Sequence, residues 1–241
     1  HDYRPHGWLT FRDVIVKSSN IGTAKIARDV LGEQRLYRYI KLFGFGKKTD
    51  VDLPGEVEGI ARPPAQWSKT SISAIPMGQE VAVTALQIAC AVSAIANDGL
   101  LMKPRLVKEI RGASSSGITR RFKPQIVRRV ISKKTAGQMK GILAGVVNEG
   151  TGKSAKLSGY TAAGKTGTAQ KVRLDGKGYS QKRFVASFIG FTPVEKPAVA
   201  MIIILDEPRP VHFGGLVCAP IFKEMSGEIL TYLGIEPDEA G

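Results

Sequence analysis

Apolar residues in the first hundred positions recur every three to four places; further on, the rhythm turns to alternation and short unbroken apolar runs. Thr10 precedes Phe-Arg-Asp-Val-Ile-Val at 11–16, which predicts a short helix capped by Thr10 with Asp13 reaching back. Ile21, Ala24, Ile26, Ala27, Val30 and Leu31 predict a second helix, ended by Gly32. The small polar residues Ser18, Ser19 and Asn20 fall at the junction of the two, a place where such residues commonly act as caps. Leu36, Tyr39, Ile40 and Phe43 predict a third helix, stopped by Gly44 and Gly46. Positions 47–69 read as an irregular arm with Pro-Gly and Pro-Pro turns. The run 83–96 is apolar on nearly all sides, so a buried helix is expected there, ending at Asn-Asp-Gly.

The second half predicts a strand over 105–111, a flexible Ser/Gly loop over 111–119 and a short strand over 127–131. A helix follows over 135–147, with Met139, Ile142, Leu143 and Val146 on one side. A turn is expected at 174–178. Two strands come next, 184–191 with Phe184, Ala186 and Phe188 on one face, and 198–205. Their six-residue link is too short for a parallel crossover, so they form an antiparallel hairpin. An amphipathic helix over 217–233 closes the chain. The pattern is α+β, an antiparallel sheet flanked by helices. One domain covers 1–238, mainly helical over 1–100 and carrying the strands over 101–238, with a tail at 239–241.

The chain has 241 residues, 43% of them hydrophobic, enough for one sizeable core. Cys90 and Cys218 sit in apolar segments with no metal or disulfide spacing, and read as core filler. The longest apolar run is far too short to span a bilayer. Lys and Arg number 35 against 21 acids, a net +14, and positions 103–140 hold twelve bases and the single acid Glu109. Aromatic residues are only 7%, with Phe122 alone in the basic segment, which gives nucleic-acid bases little to stack on. An anionic lipid or wall-polymer surface, or a solvated basic face, accounts for the charge equally well.

Candidate chemistry concentrates at 160–171, Tyr-Thr-Ala-Ala-Gly-Lys-Thr-Gly-Thr-Ala-Gln-Lys. Small residues allow close approach, hydroxyls bind oxyanions and Lys165 brings positive charge. Gly159 to Thr166 fits the phosphate-binding pattern G-x-x-x-x-G-K-[ST], and Asp206 and Glu207 after an apolar strand resemble the acids that hold magnesium in P-loop ATPases. That motif requires a preceding buried strand and a helix opening directly after it. Here polar, glycine-rich residues precede it and Gly167 falls where the helix should begin, so the ATPase is a remote alternative. Lys165-Thr166-Gly167 also fits the third motif of the penicillin-binding serine acyl-transferases. On a strand next to a hairpin, with Ser18 and Asn20 supplying a second wall, it would line a peptide-binding cleft.

Further motifs run almost end to end: Ser-Ser-Asn-Ile-Gly at 18–22, Phe-Gly-Phe-Gly at 43–46, Leu-Pro-Gly-Glu at 53–56, Val-Thr-Ala-Leu-Gln at 83–87 and Ile-Ala-Asn-Asp-Gly at 95–99. Gly-Lys-Thr-Gly-Thr-Ala-Gln at 164–170, Val-Ala-Ser-Phe-Ile-Gly at 185–190 and Gly-Gly-Leu-Val-Cys-Ala-Pro at 214–220 complete the set. With them the chain resembles the transpeptidase domain of class B penicillin-binding proteins, of the septal, cell-division type. The resemblance implies the penicillin-binding transpeptidase (serine β-lactamase-like) fold, incomplete at its N-terminal part. The family's nucleophile lies in Ser-x-x-Lys, and no such motif occurs in these 241 residues. The family's order places it before His1, together with two strands and a helix whose lack would leave part of the sheet and core exposed.

The activity implied is D,D-transpeptidation of peptidoglycan stem peptides ending in D-Ala-D-Ala, with β-lactams as mimics and no metal or organic cofactor. In that scheme Ser18 relays a proton to the leaving group, and Asn20 binds the substrate amide and orients the catalytic lysine. Lys165 supplies positive potential and the hydroxyls of Thr166 and Thr168 hold the substrate carboxylate. Gly167 stays small for substrate approach, and the Thr168 N–H forms half of an oxyanion hole. The implied setting is the outer face of the bacterial cytoplasmic membrane, reached through an anchor absent from this chain, with divisome membrane proteins as partners and no nucleic acid. A serine β-lactamase needs a Glu-x-x-Leu-Asn that has no match here; Tyr37 stands where its Asn would. A non-enzymatic β-lactam sensor or a partner-binding fragment are the other readings. Without the nucleophile, the chain alone is expected to form no adduct with penicillin.

Overall fold

Three long strands organise the computed structural model, which describes residues 2, 4–112, 117–173, 175–176 and 178–239. β5 (Ala163–Val172), β6 (Tyr179–Thr192) and β7 (Val199–Asp206) form one antiparallel sheet with β6 in the middle. The register pairs Lys165 with Ile189, Gly167 with Ser187 and Ile189 with Ile202. The hairpin and the motif-bearing edge strand are therefore as expected.

Alternation along β6 feeds two cores. Ala186 and Phe188 pack with Phe222 and Leu230 of α8 (Ala219–Tyr232) on one face. On the other, Phe191 and Ala163 pack with Leu143 of α6 (Lys133–Asn148) and Ala96 of α5 (Ala85–Ala96). Phe188, Phe191, Phe222 and Leu230 are fully buried, each contributing about 1.5–3 kcal/mol of apolar transfer. The sheet is thus held between helices on both sides, an α+β arrangement.

The helical half follows its periodicity. α1 (Phe11–Val16) carries the expected capping box, with Thr10 Oγ1 accepting from Asp13 N at 3.1 Å. α2 (Asn20–Ile26) runs into a π-helical turn, Ala27–Leu31, closed by Gly32 N donating to Ala27 O at 2.8 Å. α3 is Glu33–Leu42 and α4 a single turn, Ser71–Ala74. The arm is pinned by buried Gln87, whose Nε2 donates to Lys47 O (2.7 Å) and Glu58 O (2.8 Å). α5 is less enclosed than expected: Gln87, Ala91, Ala94 and Ala96 are buried, but an open cavity of about 500 Å³ runs along its side, lined by Ser93, Asn97, Lys140 and Val199.

The basic segment departs most from expectation. β1 (Leu100–Met102), not anticipated, pairs with β4 (Ile126–Arg129). The strand expected over 105–111 shrinks to β2 (Glu109–Arg111) and pairs with β3 (Ile118–Arg121), part of which falls in the expected loop. Glu109 links the ribbon: its carboxylate takes Arg111 Nη2 of its own strand at 2.5 Å and Arg121 Nη2 of the facing strand at 3.2 Å, a cross-strand pair of opposite charges. Positions 113–116 of the expected Ser/Gly loop lie outside the described residues, as do positions 174 and 177 of the expected turn and 240–241 of the tail. The closing helix is preceded by a separate turn, α7 (Gly214–Val217). Both cysteines are free, Cys218 buried and Cys90 half-buried.

Candidate active site

One wall of the cleft is the junction between α1 and α2. After the C-cap Lys17 the backbone turns at Ser18 with φ 57°, a left-handed conformation that costs a non-glycine residue on the order of 1 kcal/mol. Ser18 N donates to Ile15 O (3.2 Å) and Ser19 N to Val14 O (2.9 Å), so the turn folds back on α1. Ser19, not Ser18, is the cap: its buried Oγ accepts from Gly22 N at 2.9 Å and donates to Asp2 Oδ2 at 2.7 Å. Asp2 Oδ1 accepts from Ile21 N at 2.9 Å. Partial burial disfavours the Asp2 anion, but these hydrogen bonds outweigh it and hold its carboxyl below the usual range. A Cβ at Gly22 would lie 2.6 Å from Val14 Cγ2, which is why only glycine lets α2 pack this close to α1. The result turns Ser18 outward with Asn20 opening α2 beside it.

The second wall is β5. Lys165 is half-buried, and its Nζ donates to Ser18 Oγ at 2.9 Å, to Thr166 O at 3.1 Å and, more weakly, to Thr166 Oγ1 at 3.5 Å. Burial without a compensating anion pushes the Lys165 ammonium down to about 8. Thr168 Oγ1 accepts from Gly214 N at 3.3 Å. Thr166 Oγ1 lies 2.8 Å from Thr151 Oγ1, in the loop after α6. A Cβ at Gly214 would sit 2.1 Å from Ser187 O and 2.5 Å from Gly167 O; at Gly215 it would meet Thr151 O at 2.3 Å. Two consecutive glycines thus let α7 press against the motif strand on the side of Thr166 and Thr168.

Lys165 therefore meets Ser18 and Thr166 directly, with Thr168 two residues further along the same strand as Thr166 and Asn20 and Gly167 beside them on the same elements. An ammonium among hydroxyls at an open strand edge suits an anionic, extended ligand such as a peptide carboxylate. The phosphate-loop alternative fails, because Lys165 and Thr166 lie within a strand and no helix follows them. Asp206 and Glu207 are also engaged: Lys171 Nζ reaches both at 2.9 Å and Arg183 Nε reaches Glu207 at 2.7 Å.

Four contributors had roles that the sequence did not show. Asp2 carries no local signal, since its partner Ser19 is met only in space. Thr151 is flanked by Gly150 and Gly152, and that pairing was the available hint of a closely packed loop. Gly214 and Gly215 stood in a motif whose packing role shows only in three dimensions.

Comparison with known proteins agrees with this geometry. The family model described as penicillin binding protein transpeptidase domain matches residues 1–227. Stage V sporulation protein D of Bacillus subtilis is 39% identical over 233 residues, covering 96% of this chain and 36% of its own length. The probable peptidoglycan D,D-transpeptidase PbpC of Pseudomonas aeruginosa is 32% identical over 240 residues, covering 99% of this chain and 40% of its own. The crystal structure of penicillin binding protein 3 from Mycobacterium tuberculosis, complexed with ampicillin, superposes with a TM-score of 0.90 at 33% identity, covering 100% of this chain and 55% of that one. The chain thus spans little more than a third of the length of these curated relatives.

Proposed function

The chain belongs to the penicillin-binding protein transpeptidase family, class B, and from that premise we propose that it forms the substrate-binding walls of a peptidoglycan D,D-transpeptidase of the cell-division type. The observation that carries this reading is the 2.9 Å bond from Lys165 Nζ to Ser18 Oγ, which joins the two motif walls into one site.

In the proposed reaction, a serine outside these 241 residues attacks the carbonyl of the penultimate D-Ala of a stem peptide. The C–N bond to the terminal D-Ala breaks, and its amine departs with a proton relayed through Ser18. Asn20 holds the substrate amide. Lys165, Thr166 and Thr168 bind the terminal carboxylate, and the Thr168 N–H faces the developing oxyanion, a donor whose loss costs roughly 10²–10³ in rate. The amine of a second stem peptide then attacks the ester, forms the cross-link and returns the proton to the serine. β-Lactams enter by the same route and stop at the ester.

Among the described residues, the outer edge of β7 is unpaired and α5 borders an open cavity. Both fit a body completed by the segment that brings the nucleophile. No described helix is long and apolar enough to cross a membrane. The setting we infer is extracytoplasmic, with an anchor and divisome contacts carried outside this stretch.

The test is labelling of the full-length protein with fluorescent penicillin, together with D-Ala release from a stem peptide. One adduct per chain, peptide turnover, and loss of both in Lys165→Ala are expected. A full-length protein that takes no label would overturn the proposal, and labelling without peptide turnover would favour a β-lactam sensor. The 241 residues alone should give no adduct by mass spectrometry; an adduct there would refute the external nucleophile.

A further inference from the structure

Thr151 lies outside every motif that carries the reading above, yet its hydroxyl meets Thr166 in the cleft. Its backbone is clamped between α1 and α7. Thr151 N donates to Val16 O at 3.4 Å, at the end of the helix that leads to Ser18. Gly150 packs so closely that a Cβ would lie 2.4 Å from Val16 O, and Gly215 of α7 closes over Thr151 O. The side chain itself is exposed and lies on the cleft side, against Thr166 Oγ1 at 2.8 Å.

A hydroxyl has one hydrogen to donate and two lone pairs to accept with. Thr166 Oγ1 lies within reach of the Lys165 ammonium, which only donates, at 3.5 Å. We propose that Thr151 is a positioning residue: its hydroxyl donates to Thr166 Oγ1, so that the Thr166 hydrogen is left to point at the substrate carboxylate. With Thr151 donating at 2.8 Å and the Lys165 ammonium a further 3.5 Å contact, the single hydrogen of Thr166 is left for the substrate. Without Thr151, Thr166 is free to turn that hydrogen elsewhere, and the carboxylate loses an aligned donor.

This rests on the transpeptidase reading, and the experiment separates the two. Full-length wild type, Thr151→Val and Thr151→Ser are compared in acylation rate by a penicillin with its free carboxylate and by the methyl ester of the same penicillin. Thr151→Val should slow acylation by the acid about tenfold, the scale of one hydrogen bond to a charged group. It should leave the slower ester reaction unchanged, and Thr151→Ser, which keeps the donor, should restore the acid rate. Equal slowing with acid and ester, or no slowing with the acid, would overturn the positioning role. Should melting show that Thr151→Val is unfolded, Thr151→Ala removes the same donor and is judged the same way. Wild type acylated by neither compound would instead overturn the transpeptidase reading and take this inference with it.

Discussion

Lys165 and Ser18 are 147 residues apart in the chain and 2.9 Å apart in the fold. The lysine that meets this serine is pushed down to about 8 by burial, so its charge is adjustable near neutral pH rather than fixed.

That adjustability sets a pH limb. An anionic ligand requires the ammonium form, so capture of a carboxylate-bearing β-lactam should weaken as pH rises through about 8. Acylation by the full-length protein, followed from pH 6 to 10, should fall on the alkaline side; Lys165→Arg, which keeps its charge, should move or flatten that limb. The stability sign is the reverse. Between about 8 and the ordinary lysine value the unfolded chain holds a proton that the folded one has released, so folding stability gains from this residue as pH rises through that window.

Ser18 combines a chemical group with a left-handed backbone, and two substitutions separate them. Ser18→Ala and Ser18→Gly both remove the hydroxyl and should lower transpeptidation by roughly 10²-fold or more, the scale of a lost proton relay. Glycine relieves the φ of 57°, so Ser18→Gly should melt above Ser18→Ala, by about 2–4 °C for each kcal/mol recovered.

Asp2 holds Ser19 and the first turn of α2 through both carboxylate oxygens. Asp2→Ala should cost about 0.5–2 kcal/mol, the range for losing a helix cap. Because the folded carboxyl is held below its usual range, its contribution is present at neutral pH and disappears as pH falls through the folded value. Thermal melts of wild type and Asp2→Ala should therefore converge on acidification; a gap that stays constant with pH would contradict the assignment.

Gly214 and Gly167 invite a contrast. A Cβ at Gly214 meets two backbone carbonyl oxygens that cannot give way, so Gly214→Ala should destabilise by about 1–3 kcal/mol. At Gly167 the obstacle is Ser187 Oγ, which can rotate. Gly167→Ala should leave the melting temperature nearer to wild type while slowing acylation, because the added methyl stiffens and crowds the motif strand.

Much of this could be read from residue order. The helical spacing of Met139, Leu143 and Val146 and the alternation around Phe188 located α6 and the sheet, since burial of those side chains is what holds them. That Lys165, Thr166 and Thr168 lie side by side could be read from the sequence, because they sit in one continuous strand. β2 and β3 were not legible, because they are short and mostly exposed, and the side-chain link between them is Glu109 to Arg121 across the ribbon rather than apolar alternation. Thr151 was hidden for a related reason: its place depends on Gly215 closing from another element, a contact with no period in sequence.

The bare edge of β7 has a practical meaning for anyone handling these 241 residues by themselves. Natural sheets guard their outer strands against aggregation with lysines, prolines or bulges. β7 reads Val-Ala-Met-Ile-Ile-Ile-Leu before its first charge at Asp206, and it pairs with β6 without a register shift. Such a strand recruits any extended backbone it meets. Expressed alone, the polypeptide should self-associate edge to edge or go insoluble, and an aspartate or lysine at Ile204, already 41% exposed, should be the cheapest cure.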